Sequence, residues 1–136
     1  MSTADLDQAD IYVRIAQTYF KKEQYPQTRQ YCKHSLEKNP NQGQPHILLG
    51  VIYASAKIYD DPVLQKSVFW AAVDQFSKAK AVEPTAEMAE QANKLIHTYK
   101  AYYPSKEDVF MHPDLDEGKS FYVGGWVNET TTVRSK

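Results

Sequence analysis

The sequence predicts an all-α fold built from antiparallel pairs of helices, followed by a short β-hairpin. Through most of the first hundred positions, apolar residues recur at three- and four-residue spacing, which is the period of an amphipathic helix. Breaks rich in proline, asparagine and glycine interrupt this pattern after short intervals, so that neighbouring helices turn back on one another. After Pro104 the pattern changes to aromatic and β-branched residues around two adjacent glycines, which is typical of a hairpin.

The composition is that of one globular domain without a strongly charged partner. The chain has 136 residues, of which 42% are hydrophobic and 24% charged, and its net charge is −1. Because acidic and basic residues are mixed along the chain, we expect no binding to nucleic acid. No apolar run approaches the roughly 20 residues that cross a bilayer, and the first residues contain no secretory apolar core. We therefore expect a soluble chain without membrane insertion or an export signal, and the sequence leaves its cellular location open.

Proline positions define the first four predicted helices. The periodicity predicts helices near residues 6–22 and 26–38, and Pro26 suits the first turn of the second because its missing N–H costs nothing there. The stretch "KNPNQGQP" ends the second helix, and the third is expected to run from Pro45 to about Tyr59. Asp60 or Asp61 is then expected to cap a fourth helix, with Pro62 in its first turn, that continues to about Val82.

A fifth helix is predicted from about residue 86 to residue 103, introduced by Pro84 and Thr85 and closed by Pro104. Its apolar face consists of Met88, Ala92, Leu95, Ile96, Tyr99 and Tyr102.

Two segments of the chain align as an internal repeat. "YVRIAQTY" at 12–19 aligns with "HILLGVIY" at 46–53, and the second helices align with the same spacing. This pattern resembles the tetratricopeptide repeat (TPR) family over residues 9–84. The matching positions are Ala16, Tyr19, Thr28, Cys32, Ser35 and Pro40 in the first repeat and Gly50, Tyr53, Ala72, Phe76, Ala79 and Pro84 in the second.

The resemblance implies a TPR helical domain over residues 1–103, with repeats at about 9–42 and 43–86, a capping helix at 86–103, and a tail at 104–136. Pro40 and Pro84 are 44 residues apart, whereas the family period is 34 residues. The ten extra residues fall between Tyr53 and Ala72, so both helices of the second repeat are expected to be elongated by more than one turn each.

Gly50 lies inside the apolar third helix, where glycine costs roughly 0.8–1 kcal/mol relative to alanine. The repeat pattern offers a reason, because Ala16 and Gly50 would occupy the close crossings within each helical pair. The alternative is a chance glycine in a weak helix.

The ends of the helical region differ in character. The fifth helix has Asn93 and Lys94 where a third repeat would have Leu-Gly, so it is expected to cap the array. About three repeats are normally needed for stability. The chain is therefore expected to be the C-terminal piece of a longer array or part of a homodimer.

The tail is expected to form strands near 119–123 and 126–132 around a two-residue turn at Gly124–Gly125. Its aromatic residues Phe121, Tyr122 and Trp126 require a surface to lie on, and the alternative is a disordered tail. The tail also resembles the ending "GGW-NETTTVR" of longer gut-bacterial TPR proteins, which would place a parent chain at the cell envelope.

No motif of a metal, cofactor or catalytic site is present, and we expect no enzyme activity. The four histidines lack metal-ligand spacing, and "HPDLDEG" at 112–118 departs from a calcium loop at two places. No phosphate-binding loop, nucleophile elbow or dinucleotide motif occurs. Cys32 is expected to be an inert core residue, and the glycosylation sequon at 128–130 is a frequent accident. The rival interpretation is an enzyme domain that uses His97 or the acidic cluster at 114–117.

Binding is the function that the resemblance implies, since the first helix of each TPR pair lines a concave groove that takes peptides. The groove is expected to be apolar, which argues against a carboxylate clamp. Its binding residues would be Val13, Arg14, Gln17, Phe20, Lys21, Ile47, Leu48, Val51 and Ser55, with Asp10, Gln44 and Ala54 beside them.

The expected function is a non-catalytic protein–protein interaction scaffold that binds a protein or peptide segment. The alternative is a structural C-terminal cap of a longer array without a ligand. We also expect that the tail could fill the groove itself, with Phe110, Phe121, Tyr122 or Trp126 covering the apolar residues Ile47, Leu48 and Val51.

Overall fold

A computed structural model describes all 136 residues and shows a mostly helical chain that ends in a small two-stranded antiparallel sheet. The elements in chain order are α1 (Thr3–Lys21), α2 (Tyr25–Lys38), α3 (Gln44–Ala54), α4 (Pro62–Gln65), α5 (Ser67–Val82), α6 (Ala86–Lys100), α7 (Lys106–Met111), β1 (Ser120–Val123) and β2 (Glu129–Thr132).

The first two helices form an antiparallel pair. The Ser2 hydroxyl caps α1 by accepting from the backbone N–H of Asp5 at 3.1 Å. Only three residues separate α1 from α2, and one of them, Glu23, has a positive φ of 58°. Pro26 lies in the first turn of α2, as the sequence predicts. The short connection makes the two helices pack against each other along their length.

The remaining helices continue this arrangement in sequence. α2 packs on α3, α3 on α5, and α5 on α6. Thr85 caps α6 by accepting from the Met88 N–H at 3.2 Å, which confirms the start predicted for the last long helix. Helix α3 is buried on nearly every side, as its continuous apolar sequence predicts. Its buried residues are Pro45, Ile47, Leu48, Leu49, Gly50, Ile52 and Tyr53.

The extra residues of the second pair form a loop at 55–61 and the one-turn helix α4, so the prediction of two elongated helices is wrong. Helix α3 ends at Ala54 rather than near Tyr59, and α5 begins only at Ser67. The side chain of Gln65 explains why the loop is stable without helical hydrogen bonds. Its Oε1 accepts from the N–H groups of Ile58 and Tyr59, both at 2.9 Å, and its Nε2 donates to the Ala56 carbonyl at 2.7 Å.

Pro62 begins a new helix, as predicted, but that helix lasts one turn. Asp61 is its cap and accepts from the N–H groups of Val63 and Leu64 at 2.8 and 3.0 Å. The side chain of His112, which follows α7, contacts the other oxygen of the Asp61 carboxylate at 2.9 Å. The hydrogen bond from His112 and those from the backbone lower the pKa of Asp61.

The C-terminal hairpin forms, but its turn is longer than predicted. Ser120 pairs with Thr132 and Val123 with Glu129, so that residues 124–128 make a five-residue loop rather than a two-residue turn. Gly125 and Asn128 take positive φ angles of 57° and 48°. This loop turns Val127 inward, where it is fully buried. The helix α7 between α6 and the hairpin was not predicted from the sequence.

The C-terminal segment belongs to both hydrophobic cores of the molecule. Val123 and Val127 lie in the larger core, which is built mainly from α1 to α6. The smaller core joins the helices to the C-terminal residues; it contains Trp70, Val73, Tyr103, Val109, Leu115 and Val133. The tail is therefore ordered on the helices in this structure. None of the helices combines the length and the apolar character needed to cross a bilayer.

Candidate interaction surface

Residues 118–134, called here the docked segment, lie across a surface that three helices and the loop after α3 supply. We call this surface the docking face. Its side chains are Tyr25, Arg29 and Lys33 from α2, Tyr53 from α3, Tyr59 from the loop, and Trp70, Asp74 and Gln75 from α5. The face and the segment are far apart in sequence, so tertiary folding alone brings them together.

A carboxylate of the docked segment is the polar centre of this contact. The Glu129 side chain is 19% exposed, and its Oε2 accepts from the Tyr53 hydroxyl at 2.6 Å and from Lys33 Nζ at 3.0 Å. Arg29 Nη2 lies 4.0 Å from the same oxygen, and Gln75 Nε2 donates to it at 3.4 Å. A half-buried carboxylate with two cations and two neutral donors is a well-satisfied ion site.

The same network shifts the pKa values of Glu129 and Tyr53. Burial by itself raises the pKa of Glu129, but the hydrogen bonds from Tyr53 and Lys33 and the charges of Lys33 and Arg29 outweigh it and hold the pKa below its ordinary value. Burial, together with the neighbouring Glu129 carboxylate, raises the pKa of the Tyr53 hydroxyl. Tyr53 is therefore a neutral donor and Glu129 a charged acceptor at neutral pH.

Backbone contacts fix the loop of the docked segment beside this carboxylate. Arg29 Nε donates to the Val127 carbonyl at 3.0 Å, and its Nη2 donates to the Asn128 carbonyl at 3.2 Å. On the other strand, the Tyr59 hydroxyl donates to the Tyr122 carbonyl at 3.0 Å and accepts from the Gly124 N–H at 3.1 Å. Side chains of the helical region thus satisfy main-chain groups that the short hairpin leaves unpaired.

Aromatic rings of the segment pack against aromatic rings of the docking face. Trp126 lies beside Tyr25 and Tyr53, with ring centroids 6.3 and 6.0 Å apart. Phe121 meets Trp70 edge-on at 5.8 Å. Tyr122 points outward and is largely exposed. Two of the three predicted tail aromatics therefore contact the helices.

A second polar anchor holds the end of the segment on α5. Arg134 Nη2 donates to the Asp74 carboxylate at 2.7 Å and to the Trp70 carbonyl at 3.1 Å. In return, the indole N–H of Trp70 donates to the Arg134 carbonyl at 2.7 Å. The Thr131 hydroxyl donates to the other Asp74 oxygen at 2.5 Å. The indole N–H of the buried Trp70 is therefore satisfied by this anchor.

The structure leaves only part of the predicted groove open. Ile47 and Leu48 are 4% and 6% exposed and lie inside the larger core, so a ligand has no access to them. Val51 is half-buried. The accessible part is on α1 and at the end of α3; Val13, Gln17 and Phe20 are half-buried there, while Arg14, Lys21 and Ser55 are exposed. Ligand binding by these residues stays a prediction.

The predicted cover of the groove is only partly seen. Phe110 is 88% exposed and covers nothing, and Tyr122 is also largely exposed. The ring contacts of Phe121 and Trp126 are with aromatic residues of the docking face rather than with the three aliphatic groove residues. The segment therefore docks mainly on α2 and α5, although its two buried valines share the larger core with Ile47 and Leu48.

The residues considered for catalysis or covalent chemistry are scattered. His97 is exposed on α6, and the acidic side chains of the 114–117 cluster are exposed as well. No group of three or more His, Cys, Asp or Glu side chains is placed to hold a metal ion. Cys32 is 1% exposed, and burial raises the pKa of its thiol to about 12, as expected for an inert core cysteine.

Sequence reasoning missed the polar half of the docking face. Arg29 and Lys33 are four residues apart on α2, so they share one helix face, but this spacing is equally common on solvated helices. Glu129 is the only charged residue between Lys119 and Arg134, and this isolation is the one signal that could have singled it out. Its pairing across 96 residues with Lys33 has no local signature.

Comparison with models of protein families, with curated proteins and with solved structures finds no match to this chain. The contacts of the docking face and the internal repeat therefore carry the functional argument.

Proposed function

We propose that the chain is a non-catalytic protein-interaction module of the TPR type, in which paired helices form a rigid surface for an extended protein segment. The observation that carries the proposal is the docked segment itself. Side chains of α2, α3 and α5 hold an extended stretch of chain by its carboxylate, its main-chain carbonyls and its aromatic rings. Helical-repeat proteins in general use extended surfaces of stacked helices for binding.

Two features of the helices support the TPR assignment. α1 with α2, and α3 with α5, are successive packed pairs, and α6 follows as a single helix on the last pair. Ala16 and Gly50, which align in the repeat, are both fully buried or nearly so, and Gly50 meets the ring of Phe76. The repeat then accounts for the small residues on the first helix of each pair.

The surface that we assign to an external partner is the accessible part of the groove on α1. Arg14 and Lys21 are exposed there, and Phe20 lies half-buried between them along the helix. The docked segment engages α2 and α5 through its polar anchors, so it leaves this side of α1 to a partner. A segment with acidic and apolar side chains would complement these residues.

The test is affinity capture from the source cell with the full chain as bait. The informative variant is the double substitution Arg14→Glu and Lys21→Glu, and the matched control is Lys94→Glu on the exposed side of α6. A partner that the wild type and the control retain and the double variant loses would support the proposal. If no bait retains a partner, or if the double variant retains it unchanged, the groove assignment fails.

One observation favours a second candidate, a structural element within a larger helical array or dimer. Leu6 and Ile11 of α1 are 46% and 53% exposed, and no other helix covers them. Adjacent repeats in an array normally bury such residues. Light scattering of the wild type and of a Leu6→Lys, Ile11→Lys variant tests this role. A dimeric wild type together with a monomeric variant would support it, and a monomeric wild type would argue against self-association.

A further inference from the structure

Helix α7 carries the two most exposed large apolar side chains of the molecule. Phe110 is 88% exposed and its neighbour Met111 is 72% exposed, and neither packs against a hydrophobic core. Single exposed apolar residues are common on proteins, but two adjacent ones on one short helix make a patch, and such patches mark interaction sites.

The body of the molecule holds this patch in place. The Ser105 hydroxyl caps α7 by accepting from a backbone N–H at 3.1 Å, and Val109 is buried in the smaller core. Directly after the helix, the side chain of His112 contacts that of Asp61 at 2.9 Å. Because α7 is fixed at both ends, Phe110 is presented to solvent in one arrangement, which lowers the entropy cost of binding it.

The surroundings of the patch are acidic. Residues 105–118, called here the acidic segment, contain five carboxylates and one lysine. All five acidic residues are exposed, and none of them takes part in an ion pair. They are Glu107, Asp108, Asp114, Asp116 and Glu117.

The accessible part of the groove on α1 has the opposite charge. Between Asp10 and Glu23 the chain has three basic residues and no acidic one, and the basic residues Arg14, Lys21 and Lys22 are all exposed. Only Arg14 has an ion pair, a contact of 3.7 Å with Asp10 that is exposed on both sides and therefore weak. The groove thus offers unpaired positive charge to the carboxylates of an acidic partner.

The two surfaces lie at opposite ends of the helical packing order. The helices pack in the order α1, α2, α3, α5 and α6. Val109 joins α7 to the far end of this order, where it shares the smaller core with Val73 of α5 and with Tyr103, which follows α6. An acidic segment that occupies the groove on α1 must therefore come from a second molecule.

We propose that the partner of the groove on α1 is a second copy of this chain, which binds there through its acidic segment. This inference rests on the interaction function proposed above and names the partner of that site. Carboxylates of the segment lie against Arg14 and Lys21, and Phe110 packs on Phe20. Because the two surfaces differ, every contact leaves one surface of each kind free, and the copies assemble head to tail.

The test is sedimentation equilibrium of the full chain at protein concentrations up to about 1 mM, where contacts of millimolar affinity are populated. We expect the average mass to rise with concentration beyond that of a dimer. The rise should be smaller at an ionic strength of about 0.15 M than at about 0.01 M, because the Debye length falls from roughly 30 to 8 Å. A wild type that stays monomeric over the whole range would overturn the proposal.

Phe110→Ser tests the apolar contact, and Tyr122→Ser, which removes another largely exposed aromatic ring, is the matched control. Phe110→Ser should weaken association about tenfold or more and leave the melting temperature of the dilute protein unchanged, since the ring packs in neither core. Tyr122→Ser should associate like the wild type. Association of Phe110→Ser equal to that of the wild type would overturn the proposal.

Charge reversal tests the pairing of the two surfaces. The groove variant Arg14→Glu, Lys21→Glu and the segment variant Glu107→Lys, Asp116→Lys should each stay monomeric where the wild type associates. An equimolar mixture of the two should associate again, because each variant then offers the other a surface of opposite charge. A mixture that stays monomeric, or one variant alone that associates like the wild type, would overturn the proposal.

The same measurements separate this inference from the proposals above. Association that Leu6→Lys, Ile11→Lys removes and Phe110→Ser leaves intact would indicate the array or dimer contact of the second candidate and overturn the head-to-tail contact. A monomeric wild type that captures another protein through Arg14 and Lys21 would overturn the identity of the partner and leave the interaction function standing.

Discussion

Gly50 of α3 lies directly against the ring of Phe76 on α5. A Cβ built on Gly50 would be 2.4 Å from Phe76 Cε1 and 2.7 Å from Cζ, both closer than real Cβ contacts. Phe76 is fully buried, so its ring has no free space into which it can move. The close contact predicted at this glycine is therefore present, and the alternative of a chance glycine in a weak helix is wrong.

Replacing Gly50 tests this contact, because the contact and helix propensity predict stability changes of opposite sign. Helix propensity alone would make Gly50→Ala more stable by about 1 kcal/mol. The contact with Phe76 predicts the opposite, a loss of about 1–3 kcal/mol by overpacking, and Gly50→Leu should lose at least as much. Urea denaturation measures both.

Gly124→Ala is the matched control for Gly50. A Cβ there would be 3.7 Å from its nearest neighbour, the Tyr59 hydroxyl, which is ordinary contact. We expect a change within about 0.5 kcal/mol. If Gly50→Ala were as stable as the wild type or more so, the helix crossing described here would be wrong.

The Glu129 carboxylate should make stability depend on pH in the acid range. Its pKa is lowered from 4.5 by folding, so its contribution is complete above that value and is lost as the pH falls through the folded-state pKa. Glu129→Gln should therefore be less stable than the wild type at neutral pH, and the difference should shrink in more acidic solution.

Glu37→Gln, on the exposed side of α2, is the control for this effect. It should follow the wild type at all pH values, because surface pairs contribute little. Chemical denaturation at a series of pH values compares the three proteins. If the stability that Glu129→Gln loses relative to the wild type did not vary with pH, the lost stability would not be electrostatic.

Trp126 should be essential for holding the loop of the docked segment. Its ring is half-buried against Tyr25 and Tyr53, so Trp126→Ala should cost roughly 1–3 kcal/mol, less than the 3–5 kcal/mol of a fully buried tryptophan. Tyr122→Ala, which removes a largely exposed ring, should cost much less.

Fluorescence tests the same contact without removing it. With Trp70→Phe as background, the emission of Trp126 should lie between that of buried and of free tryptophan, and acrylamide should quench it only in part. Because Trp70→Phe removes the hydrogen bond from Trp70 to the Arg134 carbonyl, the background must first show the melting temperature of the wild type. Emission and quenching like those of free tryptophan in such a background would show that the loop does not dock in solution.

Cys32 should be unreactive in the folded protein. Its thiol is buried and its pKa is raised to about 12, so the thiolate population at neutral pH is negligible. A thiol reagent should label the chain completely in denaturant but not under native conditions over the same time. Rapid labelling of the native protein would mean that α2 separates from the core far more readily than the structure implies.

Much of the helical architecture followed from local sequence signals. Pro26, Asp61 with Pro62, and Thr85 mark helix starts in the structure as they do in the sequence, because capping and proline geometry act over three or four residues. The position of Gly50 also predicted a close helix contact, although the sequence left a chance glycine as the alternative until the structure showed the ring of Phe76 against it. The TPR identity and the groove binding remain proposals built on these signals.

Other features depended on contacts between distant residues. The loop after α3 replaces two elongated helices because Gln65 hydrogen-bonds its backbone, and the five-residue turn forms because Val127 enters the core. Ile47 and Leu48 have the spacing of groove residues, yet tertiary packing buries them. Local sequence therefore determined where the helices begin. Only the tertiary structure decided which helix faces are covered and that Glu129 lies between Lys33 and Tyr53, because such pairings depend on packing between residues far apart in the chain.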